Sequence, residues 1–332
     1  MKIVVVGGTT SLGQFLVRTL CASAVVDPGR APAEPILSLD VVRPGAARLF
    51  VDDRVGYVTG DPATPAWLSH VMGVDTSSVF VLAPALLRDD ADAELHATVD
   101  AVRALLEACR ARAAGLAGIA PPPGYPARAA PRFVLVCTES MSAADEAMQA
   151  QRARRIEIAR LLVADYSDRG YVDGRIVELP AVVDAPGVLG EPPVEVGAWL
   201  GWAIGESVAG RRVTCPRSAQ PWPLVSAAAA VRAIIAAHEQ PAARWTPIVT
   251  RARRVTPIPA TATDWLGALQ AVAPGQVAAR WSLGEFELDR PDSASVDSPD
   301  PLPGDDDLTA LVRASLACAA VSDSAPGPNP GP

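Results

Sequence analysis

Lys2-Ile3-Val4-Val5-Val6 runs without a break into Gly7-Gly8-Thr9-Thr10-Ser11-Leu12-Gly13, and Leu12–Leu20 then continues as an apolar helical pattern. A strand, a glycine-rich turn and a helix in direct succession leave few folds open. In such a turn the first glycine permits the tight reversal. The second lets a phosphate approach the backbone, and the third lets the helix pack on the strand. The expectation is therefore a doubly wound α/β sheet that holds a dinucleotide at this turn. Gly7 and Gly13 occupy the outer positions of a G-x-x-G-x-x-G spacing. The middle position is Thr10, whose Cβ and methyl stand where the phosphates would come close. Leu12 lies in the first helical turn, where N–H groups and the helix dipole favour an anion. The alternative is a fold that keeps its turn glycines for backbone reasons and has lost the cofactor.

The rest of the first half alternates strand and helix signals, as a parallel sheet covered on both faces requires. The pattern predicts strands at Ile36–Asp40, Gly56–Thr59, Ser78–Ala83, Phe133–Cys137 and Gly174–Leu179. Long helices are expected over about Asp90–Ala113 and Ser142–Tyr166, with Ser142 as N-cap and the Pro/Gly-rich stretch Gly115–Pro131 as a surface loop. After Pro180 the elements become less regular and tryptophan denser. Helices are expected at Val194–Ala209, Ser226–Glu239, Thr263–Val272 and Leu308–Ala319, with an exposed linker at Asp289–Asp307 and a disordered tail from Ser322. The predicted division is a Rossmann-like domain over 1–182 and a small C-terminal substrate lobe over 183–320. Segments near 212–250 return to the core, and a tail covers 321–332.

Charge narrows the partners. The net charge of −8 argues against nucleic acid, which needs clustered positive charge, and against anionic membrane surfaces. The most apolar stretch, Val225–His238, is interrupted by Arg232, so no bilayer span is expected. The five cysteines are scattered, with neither metal-ligand spacing nor a disulfide framework, which suits a reducing cytoplasm and predicts no metal. Lys2 is the only lysine in 332 residues.

Asp40 ends the second strand, about where a carboxylate accepts hydrogen bonds from ribose hydroxyls. That favours NAD over NADP, because a 2′-phosphate would be repelled. Asp61, in Gly60-Asp61, is placed to flank the adenine.

Further residues carry a resemblance. They are Arg103-Ala104-Leu105-Leu106-Glu107-Ala108-Cys109-Arg110, Leu161-Leu162-Val163-Ala164-Asp165-Tyr166-Ser167, Gly170-Tyr171-Val172-Asp173-Gly174-Arg175, Leu179-Pro180, Trp222 and Ala237-His238-Glu239. Over about residues 1–280 the chain resembles the extended short-chain dehydrogenase/reductases of the NAD-dependent epimerase/dehydratase group. Within that group it is most similar to D-erythronate dehydrogenase-like proteins. The resemblance implies NAD as cofactor, with Leu82, Ala83 and Pro180 among the cofactor-contacting positions. It also implies a homodimer built on the two long helices.

The family's proton chemistry uses an Asn that orders a relay, a Ser or Thr on the substrate oxygen, a Tyr as acid/base, and a Lys four residues later. Position by position these fall on Thr98, Ser140, Arg152 and Ile156. Only the serine is kept. An arginine stays protonated and cannot shuttle a proton as a tyrosine does. The stretch from Ser140 to Arg152 is also short, and Ser142–Ala159 reads as unbroken helix.

Ser140, Glu139, Cys137, Thr98, His96 and Arg152 are expected near the carboxyl edge of the sheet, where such folds bind ligands. Ser140 is a substrate-hydroxyl ligand or a helix cap. Arg152 is a carboxylate or phosphate ligand, or one of several arginines (Arg154, Arg155, Arg160) on a solvated face. Glu139 is a general base or a first-turn carboxylate. His96 is an acid/base or a surface residue, and Trp199 and Trp202 line a pocket or fill a core. Three functions follow. One is an enzyme acting on a small polar or acidic metabolite by chemistry that does not use the Tyr/Lys pair. A second is a non-catalytic nucleotide or metabolite sensor. The third is an NAD-dependent dehydrogenase with substituted catalytic residues.

Overall fold

The structure is a computed structural model. It describes residues 2–26, 34–41, 49–73, 75–82, 94–116, 130–138, 146–183, 196–208, 211, 213–215, 221–240, 253–273, 281–283, 304 and 306–323. The chain forms two units. Unit 1 comprises Met1–Cys137, Glu146–Val177 and Ile234–Ala252; unit 2 comprises Thr138–Asp145, Glu178–Ala233 and Arg253–Pro332.

Unit 1 is built on β1 (Lys2–Val6), α1 (Ser11–Val26), β2 (Ile36–Asp40), β3 (Val55–Thr59), α2 (Pro65–Val71), β4 (Thr76–Leu82), α3 (Glu94–Leu116), β5 (Arg132–Thr138), α4 (Glu146–Asp168) and β6 (Asp173–Leu179). The six strands form a parallel, Rossmann-like sheet in the order β6-β5-β4-β1-β2-β3. Its centre is apolar on both faces. Val4, Val5, Val79, Phe80, Val81 and Phe133–Val136 are fully buried, which is why these strands read as continuous apolar runs. Strand order reverses between β1 and β4, so the crevice outside their carboxyl ends lies beside Gly7 and Leu82.

Unit 2 contains β7 (Ala181–Val183), α5 (Val196–Val208), β8 (Val213–Cys215), β9 (Trp222–Ser226), the first half of α6 (Ala227–Glu239), β10 (Arg253–Arg254), β11 (Ile258–Ala260), α7 (Ala262–Val272), β12 (Trp281–Leu283) and α8 (Leu308–Asp323). β9 pairs parallel with β7 and antiparallel with β11, and β8 pairs with β12. Trp199, Trp222 and Trp265 are fully buried among Leu200, Ile204, Leu224 and Leu311. Trp199 and Trp202 lie 6.4 Å apart, and Trp199 belongs to this core, not to a pocket wall.

Several boundaries differ from the sequence pattern. α2, which the sequence pattern marks only as a helix end at His70, has too little periodicity in its seven residues to be bounded from that pattern; Pro65 starts it at a position where the missing N–H costs nothing. β9 was not anticipated, since its apolar run merges with the alanine-rich start of α6. α8 continues to Asp323, past the expected start of the tail. The Ser142 cap, the loop at 117–129 and nearly all of the Asp289–Asp307 linker lie outside the described residues. Among the described residues no helix is long and apolar enough to cross a membrane.

The last turn of α6 is fastened to the sheet by Arg175, whose side chain is fully buried on β6. Its Nη2 donates to Asp173 Oδ2 at 2.6 Å, and its Nη1 donates to the Ala237 and His238 carbonyls. His238 Nε2 lies 2.8 Å from Ser78 Oγ, and its ring centroid lies 5.0 Å from that of Phe80, the planes tilted by 34°. Helix-end carbonyls without an intrahelical partner need such donors when buried. Arg175→Met leaves the Ala237 and His238 carbonyls short of a donor and Asp173 with only its 3.5 Å ion pair to Arg132. The expected loss is about 3 kcal/mol of stability, read as a fall in the urea midpoint.

Candidate functional site

The turn after β1 has the backbone that its glycines allow. Gly7 takes φ +85° and its N–H donates to Leu39 O at 2.9 Å. That torsion is accessible to glycine at no steric cost. Gly13, in the first turn of α1, sits so close to the loop that a Cβ would overlap Gly7 O. Thr10 is exposed and caps the helix: its hydroxyl donates to Gly7 O at 2.7 Å and accepts from Gly13 N at 3.1 Å. The middle position of the motif therefore spends its side chain on the loop itself. The first-turn N–H groups of Ser11 and Leu12 have no acceptor within the helix.

Asp40 lies at the carboxyl end of β2 and is 7% exposed. Its Oδ1 accepts from Thr9 N at 3.1 Å and from Thr9 Oγ1 at 2.6 Å. Its Oδ2 accepts from the fully buried Ser38 hydroxyl at 2.7 Å. The next strand joins this edge through Gly60 N, which donates to Asp40 O at 2.9 Å. Asp61 follows, exposed, and its Oδ1 accepts from Ala63 N at 2.9 Å in the turn that leads into α2. On the flank of α1, Gln14 bridges Gly8 O, the Tyr57 hydroxyl and Phe50 N. Gly7, Thr10, Leu12, Gly13, Asp40 and Asp61 are thus gathered at one edge of unit 1. Ser38 and Thr9 were not singled out from the sequence. Ser38 was visible as the residue two before Asp40, hence on the same strand face. Thr9 carried no comparable signal.

The other candidates are less fully described. Leu82 ends β4 and is 2% exposed, whereas Ala83 lies outside the described residues. Pro180 is buried directly after β6 and belongs to unit 2. Thr98, in the first turns of α3, is 1% exposed. His96 precedes it on the same helix and Arg152 lies in the second turn of α4, and the side chains of both fall outside the described residues. Glu139 and Ser140 lie outside them altogether. Arg155 does not join a solvated face: it is 3% exposed. Cys137 is buried in β5. No group of metal-ligating side chains occurs among the described residues.

Lys2 stands at the foot of β1. Its Nζ donates to Val71 O at 2.7 Å, closing the end of α2, and lies 3.5 Å from Asp75 Oδ1. Four strand steps, about 13 Å, separate it from the carboxyl end where Gly7 turns. Of the tyrosines, Tyr57 donates to Phe50 O at 2.9 Å and Tyr166 donates to Glu107 on α3. Burial and the Glu107 carboxylate push the Tyr166 hydroxyl up to about 12.

No protein-family model matches the chain. The D-erythronate dehydrogenase of Cupriavidus necator is 31% identical over 299 residues, 84% of each chain. The chain belongs to the extended short-chain dehydrogenase/reductases, in the NAD-dependent epimerase/dehydratase group. The D-erythronate dehydrogenase of Haemophilus influenzae is 27% identical over 227 residues, 66% of this chain and 65% of its own. The nucleoside-diphosphate-sugar epimerase of Agrobacterium tumefaciens shares the fold, with TM-score 0.69 at 20% identity, covering 96% of this chain and 94% of that one.

α4 carries the positions, Arg152 and Ile156, onto which the resemblance places the family's tyrosine and lysine. That helix is continuous from Glu146 to Asp168, and Ile156 within it is half-buried. An isoleucine offers no donor at the position where the resemblance puts the lysine. The sole lysine of the chain is at the opposite end of β1 from the turn.

The role of Thr10 in capping α1 is directly measurable. Thr10→Ala loses both hydroxyl bonds and is expected to cost about 1 kcal/mol, whereas Thr10→Gly costs only about a few tenths. Chemical denaturation of the two variants side by side tests this ordering.

Proposed function

We propose that this protein binds NAD and acts on a small polar or acidic metabolite by chemistry in which no Tyr/Lys pair takes part. The observation that carries the reading is the contrast between the two ends of β1. The turn and Asp40 keep the features a dinucleotide needs, while Lys2 is tied to Val71 O and Asp75 at the other end. The fit to NAD rests on a backbone that closes over Gly7 and Gly13, on the first-turn amides of α1, and on a carboxylate at the end of β2. NAD supplies a hydride acceptor when bound. On this side of the reaction, Gly7–Gly13 would hold the pyrophosphate and Asp40 the adenosine ribose. The metabolite class is supported by the relatives, which are D-erythronate dehydrogenases. Ser140 and Arg152 are the side chains assigned to the substrate. An arginine there suits a carboxylate, which it binds without exchanging a proton.

A second reading is a nucleotide or metabolite sensor. It is favoured by Ile156, because a bound nicotinamide ribose would meet no ammonium there.

Thermal shift tests the cofactor. Saturating NAD is expected to raise the melting temperature by a few degrees, NADP much less. Thr10→Gly should bind NAD about threefold to tenfold more tightly, since it frees the Gly13 N–H and removes a Cβ beside the phosphates. No shift with NAD removes the reading. Turnover of D-erythronate or related four-carbon sugar acids, followed at the nicotinamide absorbance, separates enzyme from sensor. Ser140→Ala and Arg152→Ala should each lower that turnover at least tenfold, and turnover unchanged in both moves the substrate site elsewhere.

The same reading includes a homodimer through α3 and α4. Its support is an apolar pair one turn apart on α4, Ile158 at 46% and Leu161 at 51% exposure. Leu161→Asp is expected to convert a dimer into a monomer in light scattering after size-exclusion chromatography, with the fold retained by circular dichroism.

A further inference from the structure

Asp40 is not a lone carboxylate at a strand end. Three donors from two other places in the chain converge on it: the Ser38 hydroxyl on Oδ2, and the Thr9 amide and hydroxyl on Oδ1. A carboxylate has about four acceptor positions, so one is left for an incoming group. Ser38 is fully buried and Asp40 nearly so, which makes both hydroxyl bonds hard to exchange for water. Turning the Asp40 side chain to any other rotamer breaks all three.

We infer that Thr9 and Ser38 are positioning residues that set the choice of dinucleotide, by holding the Asp40 carboxylate fixed against a 2′-phosphate and open to an unmodified ribose hydroxyl. The inference rests on the NAD reading above and adds to it the cause of the selectivity. A carboxylate free to rotate can swing away from a phosphate and tolerate it. One locked by three donors stays, and like charges at contact distance repel. Thr9 has a second consequence. It lies in the glycine turn itself, so the group that reads the ribose and the loop that meets the pyrophosphate form one hydrogen-bonded piece.

The experiment measures dissociation constants of NAD and NADP by calorimetry on the full chain and on Thr9→Val, Ser38→Ala, their double variant, Thr9→Ser and Asp40→Ala. The unaltered chain is expected to prefer NAD at least tenfold. Thr9→Val and Ser38→Ala should each lower that ratio, and the double variant should bring it below about threefold, as Asp40→Ala does. Thr9→Ser, which keeps the hydroxyl, should retain it. A purely structural role weakens both dinucleotides by the same factor and leaves the ratio unchanged, and that result overturns the inference. So does an unchanged ratio in Asp40→Ala. Should the double variant not fold, Thr9→Val and Thr9→Ser decide it, because Thr9 is only partly buried. Failure of the folded, unaltered chain to bind either dinucleotide overturns the NAD reading and this inference together. Binding with an unmoved ratio overturns this inference alone.

Discussion

Gly7 turns the chain at φ +85°, and much of unit 1 follows from that torsion. It lets β1 end against β2 through Gly7 N and Leu39 O, and it lets Thr10 fold back to cap α1. It also brings Thr9 within reach of Asp40. A side chain at Gly7 would strain the turn, and one at Gly13 would push α1 off the loop. The crossing of strand and helix is thus fixed before any ligand is considered. What the site can do is decided by the polar groups hung on that crossing.

Those groups divide sharply in kind. At this edge of the sheet lie hydroxyls, the first-turn amides of α1 and the carboxylates of Asp40 and Asp61, all suited to holding a ligand still. The described tyrosines with assigned hydroxyl bonds are bound to Phe50 O and Glu107, and Lys2 is spent on closing α2.

Much of the fold was legible because buried parallel strands are written as unbroken apolar runs. Ile36–Asp40 matches β2 residue for residue, and Phe133–Cys137 lies within β5. Elements of two or three residues, such as β8, β10 and β12, have no period to detect. The site was legible where chemistry is local: the glycines, the intruding Thr10 and the strand-end Asp40. It was not legible where partners come from distant segments. Thr9 and Asp40 are 31 positions apart, and nothing in either neighbourhood announces the other. The lack of a second lysine was plain from composition, but the task of the first became visible only from its bond to Val71 O.

That bond gives the molecule an unusual chemical handle. Apart from the chain's α-amine, its single side-chain amine stands at the foot of β1, 17% exposed and already oriented. An acylating dye would therefore mark one defined side-chain address, at the far end of the strand from the turn. Fluorophores placed there watch the sheet edge that carries Gly7 and Asp40 from a distance without touching it.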